Sequence, residues 1–274
     1  MKEKLLREYI NNLIKDGVLV TFSGGVDSTL VLKIAVEESK KISKENVKAC
    51  TFQTFLSPTG DIEIVKKLAK DFGVDIIEEY IDQTKNSAVL NNQKDRCFHC
   101  KKVIFSEAIN LARKNNLKYV LDGTNSDDLK IYRPGLRAIK ELGIKSPLAE
   151  CGFTKEEVRK LAEKLKIEVA KRPSAPCLAT RFPYDEKLPL EKFSMVEEGE
   201  NFLREMGFLV NRIRVYKDVT RIEIPVSDFE KFINYRENII KDLKRIGFKY
   251  INLDMEGFRS GSMDEVILWM IKNF

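Results

Sequence analysis

Histidine is almost absent from this sequence, with a single residue, His99, among 274. A zinc site built from several histidines is therefore excluded, and a Ser-His-Asp triad would have to use His99 itself. Long hydrophobic runs are also missing, since no apolar segment reaches the roughly 20 residues that span a bilayer. A hydrophobic content of 43% beside 33% charged residues is typical of a folded globular protein rather than a disordered one.

An export signal is a further absence. The N-terminal residues 1–4 are charged and no apolar signal-peptide core follows them, which predicts a cytoplasmic protein. The five cysteines are an odd number, and without export they indicate a reducing compartment with free or metal-bound thiols. The net charge of +6 is spread along the chain, so it suits an anionic substrate without demanding nucleic acid.

The first half of the chain alternates strand-like and helix-like segments. Short apolar, β-branched runs predict buried strands, and apolar residues three and four apart predict helices. This order predicts an α/β fold, a mainly parallel sheet with helices on both faces, which binds ligands beyond the carboxyl ends of its strands. The predicted strands are 18–22, 47–54, 74–80 and 119–121, and the predicted helices are 29–39, 62–72, 98–115 and 155–166.

A cluster of prolines interrupts this pattern. Pro173, Pro176, Pro183 and Pro189 would break both helices and central strands, so we predict a domain boundary there. The predicted domains are 1–185, which carries the α/β sheet, and 186–274. The second domain has the order helix, strand, strand, helix, strand, which indicates a smaller α+β module.

A polar loop, Ser-Gly-Gly-Val-Asp-Ser at residues 23–28, follows the first predicted strand. Its two glycines let the backbone approach an anion, and the helix start offers unpaired N–H groups with a favourable dipole. Asp27 could orient a phosphate-bound magnesium ion or cap the helix. An ordinary capped strand–helix turn would use the same residue types. No Gly-Lys-Ser/Thr follows, which excludes a Walker A loop.

Three cysteines lie in charged surroundings. Cys97 and Cys100 open a predicted helix beside Lys101, a setting that favours thiolates for attack or metal binding. Three other interpretations remain possible: a structural zinc half-site with His99, a redox-active cysteine pair, or two cysteines without a function. Cys177 follows a proline between two arginines, which stabilises a thiolate or binds an anion, although a buried small residue would also fit. Cys50 and Cys151 match no motif and are predicted to be structural.

Arginines also mark the C-terminal region. Arg212 and Arg214 alternate with apolar residues and so share one strand face, while Arg259 lies in a glycine-containing loop. Such arginines can bind a phosphate bidentately. From the spacing alone, a strand face whose charged side chains are simply solvated is about equally well supported. Glu200 and Glu223 are weaker candidates for a divalent ion.

Five segments together resemble the LarE family of PP-loop ATP pyrophosphatases, the ATP-dependent sulfur transferases of nickel-pincer nucleotide biosynthesis. The resemblance covers nearly the whole chain and rests on residues 23–28, 122–128, 133–135, 146–150 and 173–181. It implies that ATP with Mg²⁺ adenylates a carboxylate of pyridinium-3,5-biscarboxylic acid mononucleotide and releases pyrophosphate. Sulfur would then displace AMP to give a thiocarboxylate.

The resemblance also implies residue roles. Family members with one cysteine at the Cys177 position give up its sulfur and keep dehydroalanine. Members with an additional Cys-x-x-Cys hold a [4Fe-4S] cluster, whose open iron carries an extra sulfide; here the implied ligands are Cys97, Cys100 and Cys177. Cys177, Asp27 and Lys101 are the implied catalytic residues, and Arg181, Arg212, Arg214 and Arg259 would bind substrate phosphate. The implied nucleotide-binding residues are Ser23, Gly24, Gly25, Asp27, Ser28, Asp122, Gly123, Thr124, Asn125, Asp127 and Arg133.

Other functions remain possible at this stage. A tRNA thiolase shares the loop but would need a broad basic surface and stacking aromatics, and no RNA-binding module precedes residue 23. A nucleotide-sensing or iron–sulfur carrier protein would bind ATP intact without releasing pyrophosphate, and an amidating synthetase using free ammonia would leave the cysteines unexplained. The expected partners are the mononucleotide, sulfide or a sulfur donor, other proteins of nickel-pincer cofactor synthesis and further copies of the chain.

Overall fold

The structure, a computed structural model of the chain, describes residues 1–42, 46–131, 133–173, 176–259 and 261–265. Ser174 and Ala175 of the proline-rich motif and Ser260 of the C-terminal loop lie outside these ranges. The chain forms two compact units, residues 1–89 with 95–175, and residues 90–94 with 176 onward. The boundary predicted from the prolines, after residue 185, lies further along the chain than this division.

A four-stranded parallel sheet forms the centre of the first unit. Its strands are β1 (Val18–Thr21), β2 (Val47–Gln53), β3 (Ile76–Tyr80) and β4 (Tyr119–Leu121), in the order β3-β2-β1-β4. Val20 of β1 lies opposite Ala49 on one side and Leu121 on the other, and every pairing is parallel. The carboxyl ends of β1 and β4 therefore meet at one edge, followed by the two polar segments of the predicted nucleotide site.

Helices cover both faces of this sheet, as predicted. Val18 and Val20 face one buried cluster, whereas Leu19 between them faces another, because successive side chains of a strand point to opposite sides. The first cluster contains residues of α1, α2, α3 and α8, and the second contains residues of α5 and α6. The helices are α1 (Lys2–Ile14), α2 (Val26–Lys41), α3 (Asp61–Phe72), α4 (Ser87–Leu90), α5 (Arg96–Lys114), α6 (Gly135–Glu141), α7 (Pro147–Glu150) and α8 (Lys155–Lys164).

α2 begins earlier than its apolar pattern predicts. The pattern starts at residue 29, but Gly25 is the N-cap, and the N–H of Thr29 donates to its carbonyl at 3.0 Å. Asp27 and Ser28 therefore lie in the first helical turn. Because both are polar, the apolar periodicity that predicts a helix begins only after them. The loop at residues 23–28 thus joins the end of β1 directly to a helix N-terminus.

The second unit is a small α+β module, again as predicted. Its helices are α9 (Phe193–Glu205), α10 (Phe229–Asn234) and α11 (Arg236–Ile246), and its strands are β5 (Arg212–Tyr216), β6 (Val219–Glu223) and β7 (Tyr250–Leu253). β5 and β6 are antiparallel, whereas β6 and β7 are parallel and joined through α10 and α11. The single helix predicted between β6 and β7 is therefore two helices, which meet at Tyr235.

A short excursion of the chain, residues 90–94, belongs to the second unit. Asn92 is fully buried and adopts a positive φ of 49°. Its side-chain NH2 group donates to the carbonyl oxygens of Phe182 at 3.0 Å and Pro183 at 2.6 Å. The N–H of Leu188 donates to the carbonyl of Leu90 at 2.8 Å. Within the ranges given above, no helix combines the length and apolar character needed to cross a bilayer.

Candidate active site

The loop at residues 23–28 is fixed from within by serine hydroxyls. The Ser28 hydroxyl accepts the main-chain N–H of Ser23 at 3.3 Å and lies 3.2 Å from the Ser23 hydroxyl and from the carbonyl oxygen of Gly25. Gly24 has a positive φ of 71°, which a glycine adopts without strain. Because the loop ends in the first turn of α2, its N–H groups and the helix dipole together favour an anion.

The segment after β4 packs directly against this loop. A Cβ atom added at Gly123 would lie 2.6 Å from the main-chain nitrogen of Ser28, a distance that no real side chain tolerates. The loop after β4 and the start of α2 are therefore in contact through their backbones. The predicted nucleotide residues of these two segments therefore lie side by side.

Asp27 connects this site to a third segment. Its Oδ1 accepts a hydrogen bond from Nδ2 of Asn125 at 3.1 Å, and its Oδ2 contacts Nζ of Lys155 in an ion pair. The main-chain N–H of Lys155 also donates to Asp127 at 2.8 Å. Mg²⁺ is usually held by one or two carboxylates together with substrate phosphates, and Asp27 supplies a half-buried carboxylate beside the loop. The site therefore fits a phosphate-bound magnesium ion.

Asp122 is enclosed by hydroxyl groups of neighbouring residues. It is buried, and its oxygens accept hydrogen bonds from the hydroxyls of Thr124 at 2.5 Å and Ser146 at 2.6 Å. The N–H of Thr124 donates to it as well, at 3.2 Å. Asp122 and Thr124 thus hold the loop after β4 in place through their own contacts.

Asp127, Asp128 and Arg133 continue this polar surface. The main-chain N–H of Lys155, with the ammonium of Lys130, holds the pKa of Asp127 below its ordinary value. Arg133 forms an ion pair with Asp128 at 2.7 Å. The structure therefore brings Arg133 to the segment after β4, as expected for one site.

The cysteine pair lies at the start of α5. Cys97 and Cys100 are half-buried and one helical turn apart. The side chain of Gln83 is 1% exposed and donates to Cys100 at both the carbonyl oxygen, 3.2 Å away, and Sγ, 3.5 Å away. A hydrogen bond to sulfur suits a thiolate or a metal-bound thiolate. Half-buried Lys101 follows, with its ammonium 5.7 Å from the ring centre of Phe105.

His99 contacts an acidic side chain of the same helix start. Its Nε2 lies 3.1 Å from Oδ2 of Asp95, the residue before the helix. Within the described ranges, no three Cys, His, Asp or Glu side chains are grouped as a metal ion would require. The first unit therefore supplies two thiols of the predicted cluster set, and Cys177 belongs to the second unit.

Cys177 starts a short 3₁₀ turn, Leu178–Arg181, whose geometry is set by a buried ion pair. Arg181 donates to both carboxylate oxygens of Glu200 at 2.9 Å, and each side chain is 3% exposed. Arg181 also donates to the carbonyl oxygens of Pro176 and Cys177. Burial opposes ionisation of Glu200, but the Arg181 guanidinium outweighs it, and the net effect lowers the pKa of Glu200. This pair fixes the backbone that carries the Cys177 thiol.

A second buried pair involves the strand arginines. Arg214 donates to both oxygens of Glu223, at 3.1 and 3.0 Å, and Ser262 donates to the same carboxylate at 3.0 Å. Arg212 is 7% exposed and lies 5.4 Å from the ring centre of Phe258. Burial, with the nearby charge of Arg181, lowers the pKa of Arg212 to about 10. The reading of this face as solvated is therefore wrong, because both strand arginines are buried.

Arg259 and the two cysteines outside the predicted cluster, Cys50 and Cys151, complete the set of residues considered in the sequence analysis. Arg259 forms ion pairs with Glu265 at 2.9 Å and Glu256 at 2.8 Å. Burial raises the pKa of the Cys50 thiol, and burial together with Glu150 raises that of Cys151. Neutral buried thiols agree with a structural role for these two cysteines.

Several known proteins are similar to this chain. The family model described as NAD synthase matches residues 1–120. A pyridinium-3,5-bisthiocarboxylic acid mononucleotide synthase of Lactiplantibacillus plantarum is 34% identical over 250 residues, 91% of this chain and 90% of that protein. An uncharacterized protein of Synechocystis is 34% identical over 264 residues, 96% of each chain. A tRNA-specific 2-thiouridylase of Fervidobacterium nodosum is 25% identical over 230 residues, 72% of this chain and 65% of that protein.

The parallel sheet, the loop after its first strand and the match to the NAD synthase family define the class, an ATP-using enzyme of the PP-loop type. The similarity to the Lactiplantibacillus synthase covers 91% of this chain and so extends over both units. On this basis the chain belongs to the LarE family of PP-loop proteins.

No individual role is assigned from the sequence to three residues of the site, Gln83, Ser146 and Lys155. Gln83 and Ser146 act on partners, Cys100 and Asp122, that lie on other segments. Lys155 offers one clue, because a cation in the first turn of a helix opposes the helix dipole and calls for a compensating anion. That anion, Asp27, is 128 residues away in the chain.

We expect Gly123→Ala to push the loop after β4 away from the start of α2. The contact at 2.6 Å should cost about 1–3 kcal/mol of unfolding free energy and weaken ATP binding, because the N–H groups of the loop would move. Urea denaturation and calorimetric titration with ATP measure both effects. Gly60→Ala is the matched control, since a Cβ there meets nothing within 4 Å. If both variants had the same unfolding free energy and the same affinity for ATP, the backbone contact would be contradicted.

We expect Glu200→Ala to destabilise the protein by about 3–5 kcal/mol, because it leaves Arg181 buried without its carboxylate. Glu198→Ala, in an exposed position of the same helix, should leave the urea midpoint unchanged. The pKa of Glu200 is below its ordinary value of 4.5, so the pair contributes fully above that pH. Its contribution is lost as the pH falls further, and a variant with wild-type acid stability would argue against this pair.

Proposed function

We propose that this enzyme activates a carboxylate of pyridinium-3,5-biscarboxylic acid mononucleotide with ATP and inserts sulfur. The carboxylate oxygen attacks the α-phosphorus of ATP, and pyrophosphate leaves. Sulfide sulfur then attacks the acyl carbon of the adenylate and expels AMP, which yields the thiocarboxylate. The observation that carries this proposal is the 34% identity to the Lactiplantibacillus synthase over both units of the chain.

In this proposal, the loop at residues 23–28 binds the phosphates. Its N–H groups and the dipole of α2 face the same edge of the sheet as the segment after β4, as the contact of Gly123 with Ser28 requires. Asp27 would hold the magnesium ion, which stabilises the charge of the departing pyrophosphate. Asn125 orients the Asp27 carboxylate through its hydrogen bond.

The sulfur-transfer part of the proposal involves the three cysteines. Cys97, Cys100 and Cys177 would hold a [4Fe-4S] cluster, whose open iron supplies a bound sulfide. The half-buried pair on α5 and the amide of Gln83 at Sγ of Cys100 support this for two of the ligands. Arg181, held by Glu200, donates to the carbonyl oxygen of Cys177, and this fixed backbone supports Cys177 as the third ligand. Lys101 follows the cysteine pair and would stabilise negative charge near it.

The four arginines of the second unit remain our proposed group for the phosphate of the mononucleotide. Arg181 and Arg214 now contact carboxylates, so phosphate binding by them requires exchange of Glu200 or Glu223 for the ligand. Burial and the nearby charge of Arg181 lower the pKa of Arg212 against the opposing effect of Glu200, so an added anion would stabilise the charged form of Arg212. The proposal further includes a sulfide or sulfur-donor partner, other proteins of nickel-pincer cofactor synthesis, self-association and a cytoplasmic location.

We expect ATP–pyrophosphate exchange to depend on the pyridinium biscarboxylate mononucleotide. Labelled pyrophosphate should enter ATP when the mononucleotide is present, because adenylation is reversible before sulfur attacks. Asp27→Asn should lower the exchange rate by roughly tenfold or more, since the neutral amide is a poor Mg²⁺ ligand. Lys160→Gln is an exposed control. Exchange that requires tRNA and ignores the mononucleotide would replace this proposal with a thiouridylase.

We expect about four irons and four labile sulfides per chain in anaerobically purified protein, and their loss in Cys97→Ala. Cys151→Ala should retain them, because that thiol is buried with a raised pKa. Metal analysis and the visible spectrum measure both variants.

Iron absent even after anaerobic reconstitution would contradict the cluster. In that case a loss of about 34 Da from the protein after turnover, detected by mass spectrometry, would identify Cys177 as a sacrificial sulfur donor that has become dehydroalanine.

A further inference from the structure

Gln83 is a buried polar residue beside the cysteine pair, and it is only 1% exposed. Its Nε2 donates to the carbonyl oxygen of Cys100 at 3.2 Å and to Sγ of the same residue at 3.5 Å. The two N–H groups of the amide therefore serve two acceptors of one cysteine. Oε1 is buried as well, and within the part of the chain that the structure describes it accepts no hydrogen bond. The amide is thus satisfied only on the side that faces Cys100.

This arrangement carries a cost that an apolar side chain would avoid. A buried carbonyl group without a donor has lost its hydrogen bonds to water and receives none in exchange. A leucine of similar size would fill the same space without that loss. The presence of an amide at residue 83 is therefore explained by its N–H groups, which contact the backbone and the sulfur of Cys100.

The segment after β3 holds Gln83 in this position. Asp82 accepts hydrogen bonds from the main-chain N–H and the hydroxyl of Thr84, at 2.9 and 2.5 Å. The carbonyl oxygen of Gln83 accepts the N–H of Asn86 at 3.0 Å. The backbone on both sides of Gln83 is thus fixed by its own hydrogen bonds. The orientation of the Cys100 sulfur at the start of α5 is therefore set from the carboxyl end of β3, another strand of the same sheet.

An N–H donor at a cysteine sulfur changes the properties of a metal centre bound to that sulfur. The donor withdraws negative charge from the thiolate, and the reduced form of an iron–sulfur cluster carries more negative charge than the oxidised form. The hydrogen bond therefore stabilises the reduced form and raises the reduction potential. It also fixes the direction from which the sulfur meets the metal, which slows release of the metal.

We propose that Gln83 positions the Cys100 sulfur and raises the reduction potential of a [4Fe-4S] cluster bound to it. The inference rests on the proposed function, because Cys100 is one of the proposed cluster ligands. Gln83 acts through Cys100 and is therefore a positioning residue. No covalent bond to Gln83 forms or breaks. Its role is to preserve the cluster through repeated sulfur transfer.

The test compares two variants of the whole chain after anaerobic reconstitution. Gln83→Leu removes both N–H groups at similar volume, and Gln83→Glu replaces Nε2 with an oxygen that carries negative charge. Titration with dithionite, followed by electron paramagnetic resonance of the reduced cluster, gives the midpoint potential. For Gln83→Leu we expect the ratio of reduced to oxidised cluster at a fixed potential to fall about tenfold. That is the loss of one hydrogen bond to a charged group, or about 59 mV for a one-electron couple.

Gln83→Glu should lower the potential further than Gln83→Leu, because it adds negative charge beside the sulfur. Release of iron to an excess of a coloured chelator should be about tenfold faster in Gln83→Leu than in the wild type. Gln93→Leu replaces an exposed glutamine and should change neither the potential nor the release rate. If Gln83→Glu does not fold, the apolar variant decides alone. Complete loss of iron from Gln83→Leu with a native circular dichroism spectrum would be the extreme form of the same effect and would support the inference.

The outcomes separate this inference from the proposed function. A loaded Gln83→Leu variant with the wild-type potential would overturn the inference whatever its rate of iron release, because altered packing alone would explain faster release. A lowered potential with unchanged release would contradict the positioning of the sulfur. In both cases the proposed function would stand. If the wild type took up no iron, the cluster part of the proposed function would fail and the inference with it, while ATP–pyrophosphate exchange would still test adenylation.

Discussion

The carboxylate of Asp27 joins three segments that are far apart in the chain. One oxygen receives Asn125 from the segment after β4, and the other receives Lys155 from the start of α8. The loop at residues 23–28 owes its position to this arrangement and to the close backbone packing of Gly123. A phosphate site of this kind needs rigid N–H groups, because affinity gained from an anion is lost if the donors must first be ordered. The first unit meets this requirement through polar contacts at the edge of its sheet.

The second unit buries several arginines within a small α+β module. Removing a guanidinium from water is costly unless carboxylates and carbonyls satisfy its N–H groups. Arg181 and Arg214 meet this demand through Glu200 and Glu223. Arg212 donates to the carbonyl oxygen of Asn211 at 2.7 Å and lies over the ring of Phe258, while burial and the nearby charge of Arg181 lower its pKa to about 10. Each of these three arginines therefore has polar partners within the unit.

Local patterns in the sequence were enough to predict the α/β sheet, because short apolar strands and amphipathic helices follow from residue spacing. They also located the phosphate loop, since its glycines and serines are adjacent. The burial of Arg212 and Arg214 could not be predicted, because alternation shows that two residues share a face but not what covers it. Lys155 and Gln83 were missed for a related reason. Their roles depend on single contacts with Asp27 and Cys100, which the fold brings together across gaps that no local pattern spans.

The excursion of residues 90–94 has a consequence for how this architecture can be inherited. The chain enters the second unit, returns to the first at residue 95 and crosses again after residue 175. The buried Asn92 finds its carbonyl acceptors only in the second unit. Splitting the gene after residue 175 would therefore leave the Asn92 amide without its acceptors in one product. The carbonyl oxygens of Phe182 and Pro183 would lose this donor in the other product. The two units are not exchangeable modules, and recombination between relatives should preserve them as a pair.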